Sequence, residues 1–280
     1  MAHMLKDVLI NTLSLEEITK LYSSFDVIGD IVIIKIPESL NSKKYLIAKT
    51  LLNKIKNVNT IFQQTSPVAG DYRIRNLEFL AGEEKTVTEY KEHGCVFKVD
   101  VSKTYFSPRL STERLRITKL IGEREIIVNM FAGIGTYSII LAKKNPDCIV
   151  YSIDSNPTAI ELCITNCKLN KVENRVIPLL GDANNVISNK LIGVGTRVLM
   201  PLPEKAYEFI ESAVLSLENK KGIVHFFAHI KSNNKKNAIN DGIEYSMNIF
   251  KNYKKKIITC RVIREVGPRI YQVVTDIYLL

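Results

Sequence analysis

From Arg124 onward the chain repeats one pattern: a short β-branched apolar run, then a stretch with helical spacing. The runs are "REIIVNMF", "CIVYSID", "RVIPLLGD", "TRVLMPLP" and "GIVHFFAHI". Between the second and third, "NPTAIELCITNCKLNK" keeps Ile160, Cys163, Ile164 and Cys167 on one helical face. Buried strands alternating with helices require a parallel sheet covered on both sides, because each crossover helix must bury its apolar stripe against the sheet. After the helical "IEYSMNIFKNYK", two strand runs, "KKIITCRVIREV" and "RIYQVVTDIYLL", are separated only by the Gly267-Pro268 turn signal. They read as an antiparallel hairpin closing one edge. The expected fold class is α/β.

The first half has different grammar. "DVIGDIVIIKIP" and "VNTIFQQT" read as strands, "KKYLIAKTLLNKIKN" as an amphipathic helix, and "KTVTEYKEHGCVFKVDVSKTYF" as a hairpin turning at Glu92-His93-Gly94. With 280 residues there is room for two domains. We expect a leader over residues 1–19, opening with the cloning remnant "MAHM", in which His3 carries no functional weight. A smaller α+β domain is expected over 20–104, a linking helix over 105–121, and the α/β domain over 122–280. Ser111 is a suitable N-cap for the linking helix, and Ser107 followed by Pro108 is the alternative.

Composition narrows the class. Hydrophobic residues are 46% and charged residues 24%, with no uninterrupted apolar run of membrane-spanning length and no signal-peptide pattern, so a cytoplasmic protein is expected. Cys95, Cys148, Cys163, Cys167 and Cys260 are an odd set scattered through strands and helices, which fits packing thiols in a reducing compartment. Cys163 and Cys167 lack further ligands at finger-like spacing, so no metal is expected. His93, His225 and His229 lie on strand or turn patterns and read as structural. The net charge of +10 suits a polyanionic partner or a lysine-decorated surface.

The first run of the repeat breaks into Gly133-Ile134-Gly135 and a helix follows at once. In a parallel sheet, ligands bind beyond the carboxyl ends of the strands where the strand order reverses. A dinucleotide site would place a third glycine where Ser138 stands, and a phosphate loop would need Gly-Lys-Ser/Thr. Asp154 ends the second strand, suited to two ribose hydroxyls. Asp182 ends the third, suited to an exocyclic amine. Each could alternatively cap a loop. Together they describe an adenosine pocket without a pyrophosphate cradle, and S-adenosylmethionine has that chemistry.

"MFAGIGTYS", "DSNPTAIE", "NKVENRV", "GDA" and the upstream "YFSPRLSTER" resemble the archaeal and eukaryotic tRNA methyltransferases that act on N1 of guanosine 37. The resemblance runs from "SSFDVIGDIVIIKIPE" to the last strand. It implies a class I, Rossmann-like S-adenosylmethionine-dependent methyltransferase domain beside a smaller N-terminal α+β domain. By motif, Arg73 in "YRIRNLEFLAGEE" would steady guanine O6 and Glu113 in "STER" would be the general base at N1. Tyr105, Arg109 and Phe131 would line the pocket. Gly133, Gly135, Asp154, Ser155, Asp182 and Ala183 would hold the cofactor. The strand-four motif stands as Pro201-Leu202-Pro203. Lys43, Lys44, Lys54, Lys56, Arg114 and Arg116 would meet the tRNA, with no membrane partner and a monomer expected.

Three departures accompany the resemblance. Asn129 stands where the family usually has an acidic residue, Pro201 replaces a base-orienting asparagine, and, because the resemblance begins near residue 23, the tRNA-elbow domain of many archaeal relatives is not expected here. The proline form resembles an archaeal subgroup that also methylates C7 of 4-demethylwyosine in wyosine biosynthesis. Two rival readings are a wyosine-pathway aminocarboxypropyl transferase using the same cofactor and a tRNA-binding module without chemistry.

Overall fold

The computed structural model describes residues 2–22 and 25–280; Met1 and Ser23-Ser24, which open the first family motif, lie outside the described residues. The chain divides into two compact units, Met1–Arg109 and Leu110–Leu280. No helix among the described residues is long and apolar enough to cross a membrane.

In the first unit, α1 (Ala2–Leu9) and α2 (Leu15–Lys20) precede β1 (Asp26–Ile28) and β2 (Ile31–Ile34). Ser14 and Glu17 form a reciprocal capping box on α2. Leu5, Leu9, Leu13 and Ile18 are buried in one core with Ile34, Ile47 and Leu51. The segment expected as a leader is therefore folded: its leucines recur every four residues and present one apolar face.

The run "DVIGDIVIIKIP", read as one strand, is a tight hairpin of β1 and β2. Gly29 turns it with φ +58°, and a Cβ there would sit 2.1 Å from Thr88 Oγ1. A two-residue Gly-Asp turn leaves the alternation of apolar residues almost unbroken, so periodicity alone hides it. Next come α3 (Lys44–Lys54), β3 (Thr60–Gln64) and β4 (Leu77–Gly82), completing a sheet in the order β1-β2-β3-β4 with β2 and β3 parallel. The sequence reading contains no strand at β4, whose residues are mostly half-buried and carry little alternation. The expected hairpin forms from β5 (Val87–Glu92) and β6 (Cys95–Asp100) around His93-Gly94.

The second unit opens with α4 (Ser111–Thr118), followed by β7 (Ile126–Asn129), α5 (Thr136–Lys144), β8 (Ile149–Asp154), α6 (Pro157–Asn170), β9 (Val176–Leu180) and α7 (Ala183–Lys190). It continues through β10 (Arg197–Met200), α8 (Ile210–Ser216), β11 (Gly222–Lys231), α9 (Lys235–Ile249), β12 (Lys255–Gly267) and β13 (Ile270–Leu279). The strand order is β12-β13-β11-β10-β7-β8-β9. β7 to β11 are parallel, and β13 runs antiparallel to both β11 and β12. The expected hairpin is present, with β13 inserted beside β11 and β12 as the outer edge.

The chain winds outward from β7 to β9, then returns to β10 on the other side. The order therefore reverses between β7 and β10, the place where such sheets bind ligands. The expected linking helix is α4, and it packs on α5 as part of the second unit. Neither Ser111 nor Ser107 caps it: Leu110 is the N-cap, because a 3-10 turn over Pro108–Leu110 runs directly into the helix.

Candidate active site

The segment after β7 is stitched to both neighbouring strands: Met130 N donates to Leu199 O at 3.0 Å, and Ala132 N to Ile153 O at 2.8 Å. The chain then turns at Gly133 and Gly135 with φ of +56° and +87°. Gly135 is the N-cap of α5, and a Cβ there would lie 2.6 Å from Cys163 Sγ. Small size and positive φ are both required at this position.

Asp154 closes the turn from β8. Its Oδ2 accepts from Gly133 N at 2.7 Å and its Oδ1 from Asn156 N at 2.9 Å. Burial pushes its carboxyl above the ordinary range, and these two N–H donors act against that shift. Each oxygen keeps lone-pair capacity for a further donor, so two adjacent hydroxyls of a ribose are the matching ligand. Asn156, which sequence reasoning missed, caps α6 by accepting from Thr158 N and Ala159 N, with Pro157 in the first turn. Ser155, between them, is exposed.

Gly181 N donates to Asp154 O at 3.0 Å, which brings the end of β9 against that of β8. Asp182 is the exposed N-cap of α7: its Oδ1 accepts from Asn184 N and Asn185 N, so that oxygen performs the capping alternative. Ala183 behind it is buried. Asn129 is fully buried; its Nδ2 donates to Ser138 Oγ at 3.1 Å, while Oδ1 has no hydrogen-bond partner among the described residues. Ser138 bonds Ser152 Oγ at 2.6 Å, so the position a third glycine would occupy ties β7, α5 and β8 together.

Across the switch point, Pro201-Leu202-Pro203 leaves β10 in a tight turn, with Leu202 N donating to Met200 O at 2.9 Å. Phe131, after β7, packs edge-on against Phe209 with ring centroids 5.0 Å apart. Pro201 offers only a carbonyl where a side-chain amide would donate and accept.

Glu113 lies on α4 and is 2% exposed. Arg116, one turn on, grips it: Nε donates to Oε1 and Oε2 at 2.9 and 3.1 Å, and Nη2 to Oε1 at 2.6 Å. Arg261 on β12 stands 3.6 Å from Oε2. Burial pushes the Glu113 carboxyl up, and Arg116 and Arg261 hold it back. The expectation of Arg114 and Arg116 as solvent-facing tRNA contacts is corrected. Arg114 is 2% exposed, with its guanidinium over the Tyr137 ring, and Arg116 is committed to Glu113 and Asp276. The packing of α4 on α5 turns basic residues of this helix inward, which a charge count cannot reveal.

Within the first unit, Arg73 takes a positive φ of +54° and lays its guanidinium over the Tyr105 ring at 4.0 Å. Arg109 pairs with Asp26 at 2.9 Å, a carboxylate shared with Arg75. Lys43 and Lys44 pair with Glu17 and Glu78, whereas Lys54 and Lys56 are exposed. Sequence reasoning also passed over Asp276 and read His225 as structural, without a partner. The available signal was a polar residue interrupting an otherwise apolar interior strand, in "VVTDIY" and "IVHFF".

The TRM5/TYW2 methyltransferase domain, as a family profile, matches residues 88–263. The chain belongs to this TRM5/TYW2 family. The TYW2 N-terminal domain matches residues 5–86, so the likeness begins well before residue 23. Among TRM5/TYW2 relatives, the tRNA (guanine(37)-N(1))-methyltransferase Trm5b of Pyrococcus abyssi is 40% identical over 91% of this chain and 74% of its own length. The tRNA 4-demethylwyosine(37)-methyltransferase Taw21 of Saccharolobus solfataricus is 34% identical over 94% of this chain and 96% of its own. Of solved structures, aTrm5 in complex with tRNALeu aligns with a TM-score of 0.86 at 33% identity, covering 99% of this chain and 78% of that one. TYW2 of M. jannaschii in complex with AdoMet aligns at 0.68 and 29% identity, covering 91% and 99%.

Proposed function

We propose that this chain is an S-adenosylmethionine-dependent tRNA methyltransferase acting on N1 of guanosine 37. Glu113 carries the reading: a carboxylate out of water and shifted upward by burial, on the "STER" motif of a methyltransferase family. Asp154, fixed by Gly133 and Asn156, would hold the ribose of the cofactor, and Gly133 and Gly135 let a ligand approach the backbone. The absence of a phosphate-cradling loop fits a nucleoside with no phosphate. When bound, S-adenosylmethionine supplies a methyl group on a sulfonium centre.

N1 of neutral guanine carries a proton and is a poor nucleophile. Glu113 takes that proton onto a carboxylate oxygen as N1 forms its new bond, a role worth roughly 10²–10⁴-fold. Electron density then rises on O6, where a cationic hydrogen-bond donor would stabilise it. Lys54 and Lys56 would meet the phosphate backbone.

A second substrate is supported by Pro201. A site without the asparagine amide is less committed to the guanine edge, and Taw21, named for 4-demethylwyosine, is a relative along nearly its whole length. The test is incubation with S-adenosylmethionine and transcripts carrying guanosine or adenosine at position 37, and with tRNA carrying 4-demethylwyosine. Mass spectrometry of the digested nucleosides reads the products. Of the two transcripts, only the one with guanosine should yield 1-methylguanosine; no product from any RNA overturns the reading. Methylthioadenosine as by-product in place of S-adenosylhomocysteine would assign aminocarboxypropyl transfer.

A further inference from the structure

Glu113 does not have Arg116 to itself. The Nε and Nη2 side of the guanidinium faces Glu113. On the other side, Nη1 donates to Asp276 Oδ2 at 2.6 Å and Nη2 to Asp276 Oδ1 at 3.1 Å. Both carboxylates are out of water, with side-chain exposures of 2% and 3%. Asp276 has one more partner, His225, whose Nδ1 is 2.6 Å from Oδ1.

The far side of the imidazole fixes its tautomer. His225 Nε2 lies 2.8 Å from Arg197 Nη1, an atom that can only donate. Nε2 therefore accepts, and the ring proton sits on Nδ1 and points at Asp276. His225 is neutral, in keeping with the downward push of burial on its pKa. It orients Asp276 without cancelling its charge. Arg197 is pinned in turn by Glu125 at 2.5 and 2.7 Å and by Leu120 O at 2.9 Å.

The groups acting on Glu113 are thus Arg116 on its own helix, Arg261 on β12 and Asp276 on β13. The neutral His225 on β11 stands behind Asp276. We propose that Asp276, oriented by His225 and Arg197, is a positioning residue that keeps Glu113 basic by claiming part of the Arg116 guanidinium. This rests on Glu113 being the base. A buried carboxylate with an arginine wholly its own is a weak base, since an adjacent cation lowers its pKa by about 1–3 units. Two carboxylates sharing one arginine divide that stabilisation, and the upward contribution of Asp276 to Glu113 agrees in sign.

The test is the pH profile of single-turnover methyl transfer to a guanosine-37 tRNA transcript. It is measured for the full chain, Asp276→Asn and Glu113→Gln. Removing the Asp276 charge hands Arg116 to Glu113. The ascending limb should move to lower pH by about one unit, and the plateau should fall about threefold to tenfold as the base weakens. A limb that stays in place overturns the proposal. If Glu113→Gln keeps the full rate and the same limb, the base reading fails and the proposal with it. If Glu113→Gln is inactive and Asp276→Asn keeps the original limb, only the proposal fails. Should Asp276→Asn not fold, His225→Leu carries the test with opposite sign. Asp276, deprived of its donor, then draws harder on Arg116, and the limb should move to higher pH; an unmoved limb overturns the proposal.

Discussion

Asp154 serves the fold and the proposed ligand with the same two oxygens. It fastens β8 to the glycine turn through Gly133 N, orders the start of α6 through Asn156 N, and retains acceptor capacity at both atoms. An amide cannot do this, because its nitrogen would face a backbone N–H. Asp154→Asn should therefore weaken S-adenosylmethionine binding by about tenfold or more, in line with about 1.5–3 kcal/mol for hydrogen bonds to a charged group. Isothermal titration reads this directly, and unchanged affinity would remove Asp154 from the cofactor site. Asp154 was legible as a residue type in a pattern, and Glu113 only through the resemblance of its motif to a known family. The assignment of Arg116 was not, because a guanidinium at the right sequence position serves equally as a surface charge or as a buried counterion. Only the fold of β13 back onto α4 brings Asp276 to it.

The turn into α5 is the element most tightly specified by chemistry. Gly135 combines φ of +87° with a Cβ position 2.6 Å from Cys163 Sγ, so any side chain meets both backbone strain and a buried thiol on α6. Gly135→Ala should lower stability by about 2 kcal/mol or more. Thermal or urea unfolding measures it, and a loss within about 0.5 kcal/mol would show that α6 yields. Other elements were harder to read. The β1–β2 hairpin was hidden because its two-residue turn preserves alternation, and β4 because a half-buried strand has weak periodicity. The α4 start was misplaced because Pro108 begins a 3-10 turn that makes a serine cap unnecessary.

Over the whole molecule, a net charge of +10 favours a polyanion, but several of the cations nominated for that role are already paired. Lys54 and Lys56 remain exposed at the end of α3. If they meet phosphates, replacing both with alanine should weaken tRNA binding. The slope of log affinity against log salt should also become shallower, by about one for each phosphate no longer neutralised. Filter binding across a salt series reads the slope. Weaker binding with an unchanged slope would place them away from the backbone of the RNA.

Local chemistry alone determined the strand–helix alternation, the closing hairpin, the glycine turn and the aspartate that ends the second strand. Period, turn residues and β-branching act over a few neighbours, and those neighbours are adjacent in the chain. Tertiary structure decided which charges are buried and whom they serve. Arg116 on α4 reaches Asp276, 160 residues further along the chain. Arg197 sets the tautomer of a histidine 28 residues away. The strand order that inserts β13 beside β11 creates these meetings, and a buried charge is defined by the partner that compensates it.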